Sequence, residues 1–180
     1  MQTCAERFGA EKEQEMEQKR FEFVPGDEIV IAPGRTVKRI RALVAIVAFG
    51  VSPGDLGGYV EKDAQVYGNA WVYGDAQVYG DAQVSGNAWV YGDAQVYGRG
   101  LIFWASIVGT ENGTLTVYNG KDNTLLVTRG CFSGTADEFL AKSVAKHDER
   151  TRIEYRMLID VARSRIEHAR ATITDDEVKV

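Results

Sequence analysis

"NAWVYGDAQVYGDAQVSGNAWVYGDAQVYG", residues 69–98, is written in six-residue units. Counted from each valine, they read VYGNAW from Val66, VYGDAQ from Val72 and Val78, VSGNAW from Val84 and VYGDAQ from Val90. VEKDAQ from Val60 precedes them, and VYGRGL from Val96 and IFWASI from Ile102 are looser continuations that end at Val108. Six residues are too few for a helical repeat and match the hexapeptide class of parallel β-helix. Each unit offers a β-branched residue, an alanine two positions before the next valine, and Gly-Asp or Gly-Asn between. Glycine and Asx accept left-handed backbone and local side-chain bonds, so each unit reads as a short strand that turns at Gly-Asx. Valine and alanine are expected inside, with Tyr, Gln and Trp outside.

Two units carry Trp where the others carry Gln. Trp71 and Trp89 are eighteen residues apart, and all of GNAW recurs with them. Three hexads per coil would stack Val66 on Val84 and Ile102, and Val72 on Val90 and Val108. Trp71 would lie over Trp89 and then Ile107, at the spacing of about 4.8 Å between paired strands. The spacing therefore predicts a three-faced coil in which one face carries Asn and Trp, and the other two Asp and Gln.

Outside the repeat the texture changes. Residues 1–20 are charged and almost free of aliphatic side chains, and read as a mobile arm. Residues 21–59 form a strand-rich cap: FEFV and EIVIA are separated by the turn signal PGD, and RTVKRIRALVAIVAF reads as a strand that becomes buried on both faces. The β-helix then spans 60–108. TLTVY and TLLVT, joined by NGKDN, predict a hairpin over 109–130 that covers the open end of the coil. A helical hairpin follows over 131–170. Its first helix opens with Thr135 and Glu138 in capping-box spacing and carries Phe139, Leu140 and Val144 on one face. The second places Ile153, Met157, Leu158, Val161, Ala162, Ile166 and Ala169 on a stripe. Residues 171–180 read as a frayed tail.

Composition excludes several classes. The 180 residues carry a net charge of −5, against the basic excess of a general nucleic-acid binder. The longest apolar run, ALVAIVAFGV at 42–51, is too short to span a bilayer, and no secretory leader opens the chain, so a cytoplasmic protein with no membrane partner is expected. Cys4 and Cys131 are singletons without metal-ligand or disulfide spacing.

Candidate chemistry is sparse. His147 and His168 both lie beyond the coils, Cys131 has no histidine beside it in sequence, and no catalytic residue is expected. Asp75 over Asp93 and Asn69 over Asn87 could line oxygen ligands, but tight Asx turns explain the same residues, so neither a metal nor a cofactor is expected. The outward aromatics are the binding candidates: Trp71 and Trp89, with Tyr73 stacked on Tyr91 and Tyr79 on Tyr97. A contiguous aromatic surface marks a contact with a second subunit or an external partner, or stacks a flat ligand such as a nucleotide base. Arg99, or Arg35, Lys38, Arg39 and Arg41, would then neutralise phosphates.

The hexads resemble the left-handed parallel β-helix of hexapeptide-repeat proteins, which commonly form trimers. Three segments also resemble mostly uncharacterised proteins of phages and prophages: RIRALVAIVAFGVSPGDLGGYVEKDAQV at 39–66, the YGDAQV repeats, and TLLVTRGCFSGTADEFLAK at 124–142. That resemblance covers roughly residues 21–165. It implies a mainly β fold, a short left-handed parallel β-helix of three hexads per coil with strand cap, β-hairpin and helical hairpin, assembled as a homotrimer. It also implies a phage accessory protein in the host bacterial cytoplasm that engages a host protein or sequesters a nucleotide-like signalling ligand in counter-defence. The alternatives are an assembly component whose faces only oligomerise, and a hexapeptide-repeat acyltransferase or its degenerate descendant.

Overall fold

The structure, a computed structural model, describes residues 20–62 and 64–172, with Ala48 described by its backbone alone. The arm expected before residue 20 and most of the expected tail lie outside the described residues. Among the described residues the fold is mainly β with two α-helices.

The first strand, β1 (Phe21–Ala32), pairs antiparallel with β2 (Arg35–Ala42), which pairs antiparallel with β3 (Leu56–Val60). PGD at 25–27 does not break β1 into two strands as its turn residues suggest. The pairing slips between Phe23 and Glu28, so the segment is an irregularity within one strand, with Gly26 at φ +77°. β3 then begins the repeat by pairing in parallel with β6 (Gln77–Val78), and β6 with β9 (Gln95–Val96). The other two columns are β4 (Gln65–Val66) on β7 (Gln83–Val84), and β5 (Trp71–Val72) on β8 (Trp89–Val90).

Every parallel partner is offset by three hexads, as in Gln65 on Gln83 and Trp71 on Trp89. The interior follows the hexad rule: Val72, Val78, Val84, Val90 and Val96 are fully buried, as are Ala76, Ala82, Ala88 and Ala94. The corner glycines Gly68, Gly74, Gly80, Gly86 and Gly92 all have φ between +66° and +71°, which explains why each hexad needs one. Outside, Asn69 donates to Asn87 (3.2 Å) and Gln83 to Gln65 (3.3 Å), bonding like residue to like between successive coils at these two positions.

The hexads from Val96 onward depart from the expected coil. In VYGRGL an arginine replaces Asx and a glycine replaces alanine. Gly98 is extended (φ −156°), and Arg99–Leu101 makes a 3-10 turn out of the solenoid. A Cβ on Gly100 would lie 2.5 Å from the Cβ of Ala169, so this glycine admits the C-terminal helix. Ile102 and Val108 are therefore not third rungs. They belong to β10 (Ile102–Val108), the edge of an antiparallel sheet completed by β11 (Gly113–Asn119), β12 (Leu125–Arg129) and β13 (Phe132–Thr135). Ile107, expected above Trp89, instead has φ +61° at an irregularity in that edge and is largely exposed.

Side chains of this sheet satisfy the open backbone of the last rung. Thr128 donates to the Trp89 carbonyl (2.6 Å), and the Trp89 N–H donates to Thr116 Oγ1 (3.3 Å). The Tyr118 hydroxyl accepts from the Tyr91 N–H (3.1 Å) and donates to the Tyr91 carbonyl (3.2 Å), while Asn119 donates to the Gln95 carbonyl (2.9 Å). Hydroxyls and an amide thus stand in for the strand a further coil would have supplied.

Helices α1 (Ala136–Lys146) and α2 (Glu149–Thr172) complete the described residues. The capping box forms: the Thr135 hydroxyl accepts from the Glu138 N–H (3.2 Å), and the Thr135 N–H donates to the Glu138 carboxylate (2.8 Å). The buried stripe of α2 is Thr151, Tyr155, Ile159, Ala162 and Ile166. Ile153, Met157 and Val161 of the expected stripe face solvent, as does Val144 on α1. Tyr155 makes the difference, because its ring anchors the packing against Phe139 (5.0 Å between centroids) and rotates the buried face toward itself.

Candidate functional site

The apolar run at 42–51 builds the site. It does not continue as a strand, since β2 ends at Ala42 and Val47–Phe49 forms a single 3-10 turn closed by Gly50 at φ +66°. Ile46 and Val51 bond each other's backbone (2.9 and 3.2 Å), so the run folds back on itself. The following turn is pinned to β2: the Ala42 N–H donates to the Asp55 carbonyl (2.9 Å), and the Gly54 N–H to the Ala42 carbonyl (2.8 Å). Asp55 also accepts from the Ser52 N–H (2.7 Å).

This folded run lies over the tryptophan face. Trp71 is expected to point into solvent or into another molecule, yet it is 1 % exposed. Phe49 packs on Trp89 with ring centroids 5.1 Å apart. Between the run and the coil remains a cleft of about 480 Å³, walled by Phe49, Val51, Leu56, Trp71, Tyr73 and Trp89, with Asp55 at its edge. Tyr73 stacks on Tyr91 (5.5 Å, 16° between planes), and Tyr91 meets Trp89 edge-on at 6.3 Å. Phe49, Trp89, Tyr91 and Tyr73 therefore form one unbroken run of ring contacts, with Trp71 buried on the same column as Trp89. The indole nitrogens of both tryptophans are buried with no hydrogen-bond acceptor.

The remaining candidates lie elsewhere. Tyr79 stacks on Tyr97 (5.5 Å, 24°) on a different face, close to Arg35. Burial, and next the neighbouring Tyr97, raise the Tyr79 hydroxyl above the ordinary phenol range. Arg99 is exposed in its 3-10 turn and does not line the cleft. The cations of β2 are paired rather than available for phosphates: Arg35 with Glu61 (3.4 Å), Lys38 with Glu28 (3.2 Å), Arg39 with Asp27 (2.7 Å), and Arg41 with Glu22. Arg39 also donates to the hydroxyl of Tyr59 (2.6 Å), which donates to Asp27 (3.0 Å). His147 ends α1 edge-on to Tyr155 (5.4 Å), and His168 is exposed on α2. Among the described residues, no three His, Cys, Asp or Glu side chains converge as metal ligands. No helix among them is long and apolar enough to cross a membrane.

Residues 64–98 match the family model of the YdcK β-solenoid repeat. The match comprises overlapping segments at 64–80, 76–92 and 82–98, all within the coil, so the repeat region is a β-solenoid. No curated protein and no solved structure matches the chain significantly.

Phe49, Val51 and Leu56 escape the sequence reading of the site. A usable signal is present, because Gly50 and the SPGD of 52–55 leave too little room for one long buried strand.

Proposed function

We propose that the protein is a non-enzymatic binding module whose aromatic cleft holds a planar group of a host ligand. The observation that carries this reading is the cleft itself. Six of its nine lining residues are aromatic or aliphatic, the others being Gly50, Gly54 and Asp55, and its volume suits a small molecule or one inserted ring. Among its lining residues Asp55 is the one charged group, so a neutral or cationic ring fits better than a phosphate-bearing face. A nucleobase meets that description: it stacks on indole and phenol rings and offers N–H donors to a carboxylate. In this reading the coil is a left-handed β-helix, the protein is a phage-encoded homotrimer in the host cytoplasm, and sequestration of a host signalling ligand serves counter-defence. The resemblance of residues 21–165 to phage and prophage proteins supports those parts.

Isothermal titration of the full chain with nucleosides and with their nucleotides tests the cleft. Saturable heat lost in Tyr73→Ala and Trp89→Leu, with oligomer mass unchanged, supports the reading. Failure of every nucleoside and nucleotide to bind defeats the nucleobase assignment.

A second reading, a structural component whose surfaces only oligomerise, draws on α2. Ile153, Met157 and Val161 leave an apolar stripe about half exposed or more (50 %, 63 % and 49 %). Native mass spectrometry separates the two, because Met157→Glu should disperse an oligomer built on that stripe and leave cleft binding intact. The acyltransferase reading draws on fold resemblance alone, and acyl-CoA turnover abolished by His147→Ala would revive it.

A further inference from the structure

A second concavity, of about 150 Å³, lies where the tip of the β12–β13 turn meets α1 and α2. Its floor is aromatic, with Phe139 and Tyr155, and its polar lining is mostly cationic: Arg129, Lys142 and Lys146, beside His147. It shares no lining residue with the aromatic cleft.

Arg129 is the unusual member. It ends β12, and its side chain is 8 % exposed. A Cβ on Gly113 would lie 2.4 Å from its Nη1, so the glycine makes room for the guanidinium. Nη2 donates to the Val108 carbonyl (3.0 Å), and Nε is buried with no acceptor. Its one carboxylate contact among the described residues is loose, since Glu111 stands 3.8 Å away and is 80 % exposed. A guanidinium keeps its charge in any protein setting, and a buried charge is costly without close, geometrically good partners. Lys142 and Lys146 are one helical turn apart and line the same cavity, an arrangement that repels in isolation. The helix dipole accounts for a cation in the last turn, hence for Lys146. Lys142, a turn earlier, lies over the Phe132 ring (5.3 Å to the centroid) at the cavity wall, and Arg129, from another element, falls outside that account.

Three cations from two elements around a cavity with one solvated carboxylate describe an oxyanion site. The volume is below that of a typical small-molecule pocket, so it takes a group rather than a whole nucleotide. A phosphoryl group supplies the acceptors that a guanidinium and two ammonium groups demand, and its charge balances theirs. We propose that this pocket binds a phosphoryl group, either inorganic phosphate or the terminal phosphate of a monoester whose remainder stays outside.

The test is isothermal titration of the full chain at low ionic strength with inorganic phosphate and, separately, with glycerol phosphate. Binding of phosphate itself identifies a free-anion site, and binding of the monoester alone identifies a headgroup site; both support the proposal. Lys142→Met and Lys146→Met alter exposed side chains, and each should weaken binding about tenfold, the loss of one charge-assisted bond, with the melting temperature unchanged. Arg129→Lys should weaken it further. No saturable heat from either compound at about 10 mM, where even a weak site of millimolar Kd would fill, overturns the proposal. Affinities unchanged in both lysine variants overturn it equally, because the bound anion would then lie elsewhere.

Discussion

Residues 65–96 and 102–135 are both stacks of short strands, yet they are ordered by different rules. In the first, strands of two residues pair in parallel at one fixed offset. In the second, strands of four to seven residues pair antiparallel with their sequence neighbours. The solenoid's register is carried by a left-handed glycine at each corner and a valine–alanine interior. The antiparallel sheet has no repeating corner, and it meets the solenoid through specific hydroxyls of Thr116, Tyr118 and Thr128. Periodic structure is thus held by a rule, and its termination by individual side chains.

The comparison breaks most severely at a corner. Gly80 has φ +66°, and a Cβ there would lie 2.6 Å from the Tyr97 carbonyl oxygen. Gly80→Val should cost about 3 kcal/mol or more, through both left-handed strain and backbone clash, and leave a broadened or absent thermal transition. Close behind comes the buried face. Trp71→Ala should cost about 3–5 kcal/mol in chemical denaturation, as large-to-small core changes do. Trp71→Phe should cost far less, since it keeps a ring and removes an unbonded indole N–H. A near-zero effect of Trp71→Ala would mean that the 42–51 run does not cover this face.

At the junction the effects should be smaller. Thr128→Val leaves the Trp89 carbonyl without its donor and should cost about 1–3 kcal/mol. Tyr118→Phe removes two bonds to the last rung and should cost a similar amount, with a pH signature in addition. Burial, the largest cause, raises the Tyr118 hydroxyl well above the ordinary phenol value of about 10. The folded state then keeps a proton that the unfolded chain releases. The stabilisation is complete below pH about 10 and declines as pH rises beyond it. Unfolding titrations above that pH should show a shallower loss in Tyr118→Phe than in the wild type. Part of the loss should persist, because Tyr59 and Tyr79 are also raised, chiefly by burial. Smallest of all, Arg163→Ala removes a surface pair with Asp137 (3.4 Å) and should change stability by about 0.5 kcal/mol or less.

Legibility followed the same division. The six-residue period, the three-hexad coil, the stacked tyrosines and the capping box of α1 could all be read from residues, because each depends on neighbours at fixed spacing. The exit from the coil was partly written in the sequence, since VYGRGL loses both Asx and alanine. The pairing partner of Ile102–Val108 was not, because antiparallel and parallel continuations accept the same apolar residues. The 42–51 run misled for a related reason: a buried strand and a folded cover have the same composition. On α2 the apolar residues extend over two faces, and only the position of Tyr155 chose between them.

The sequence by itself determined that residues 60–98 coil, how many residues close a turn, and that Trp71 and Trp89 share a face. Those features follow from local backbone preference and side-chain alternation, which act over a few residues. Tertiary structure alone decided what covers that face, which cations are already paired, and how Arg129, Lys142 and Lys146 come to one cavity. Each of those depends on contacts between segments far apart in the chain, where many apolar or charged partners would have satisfied the same composition.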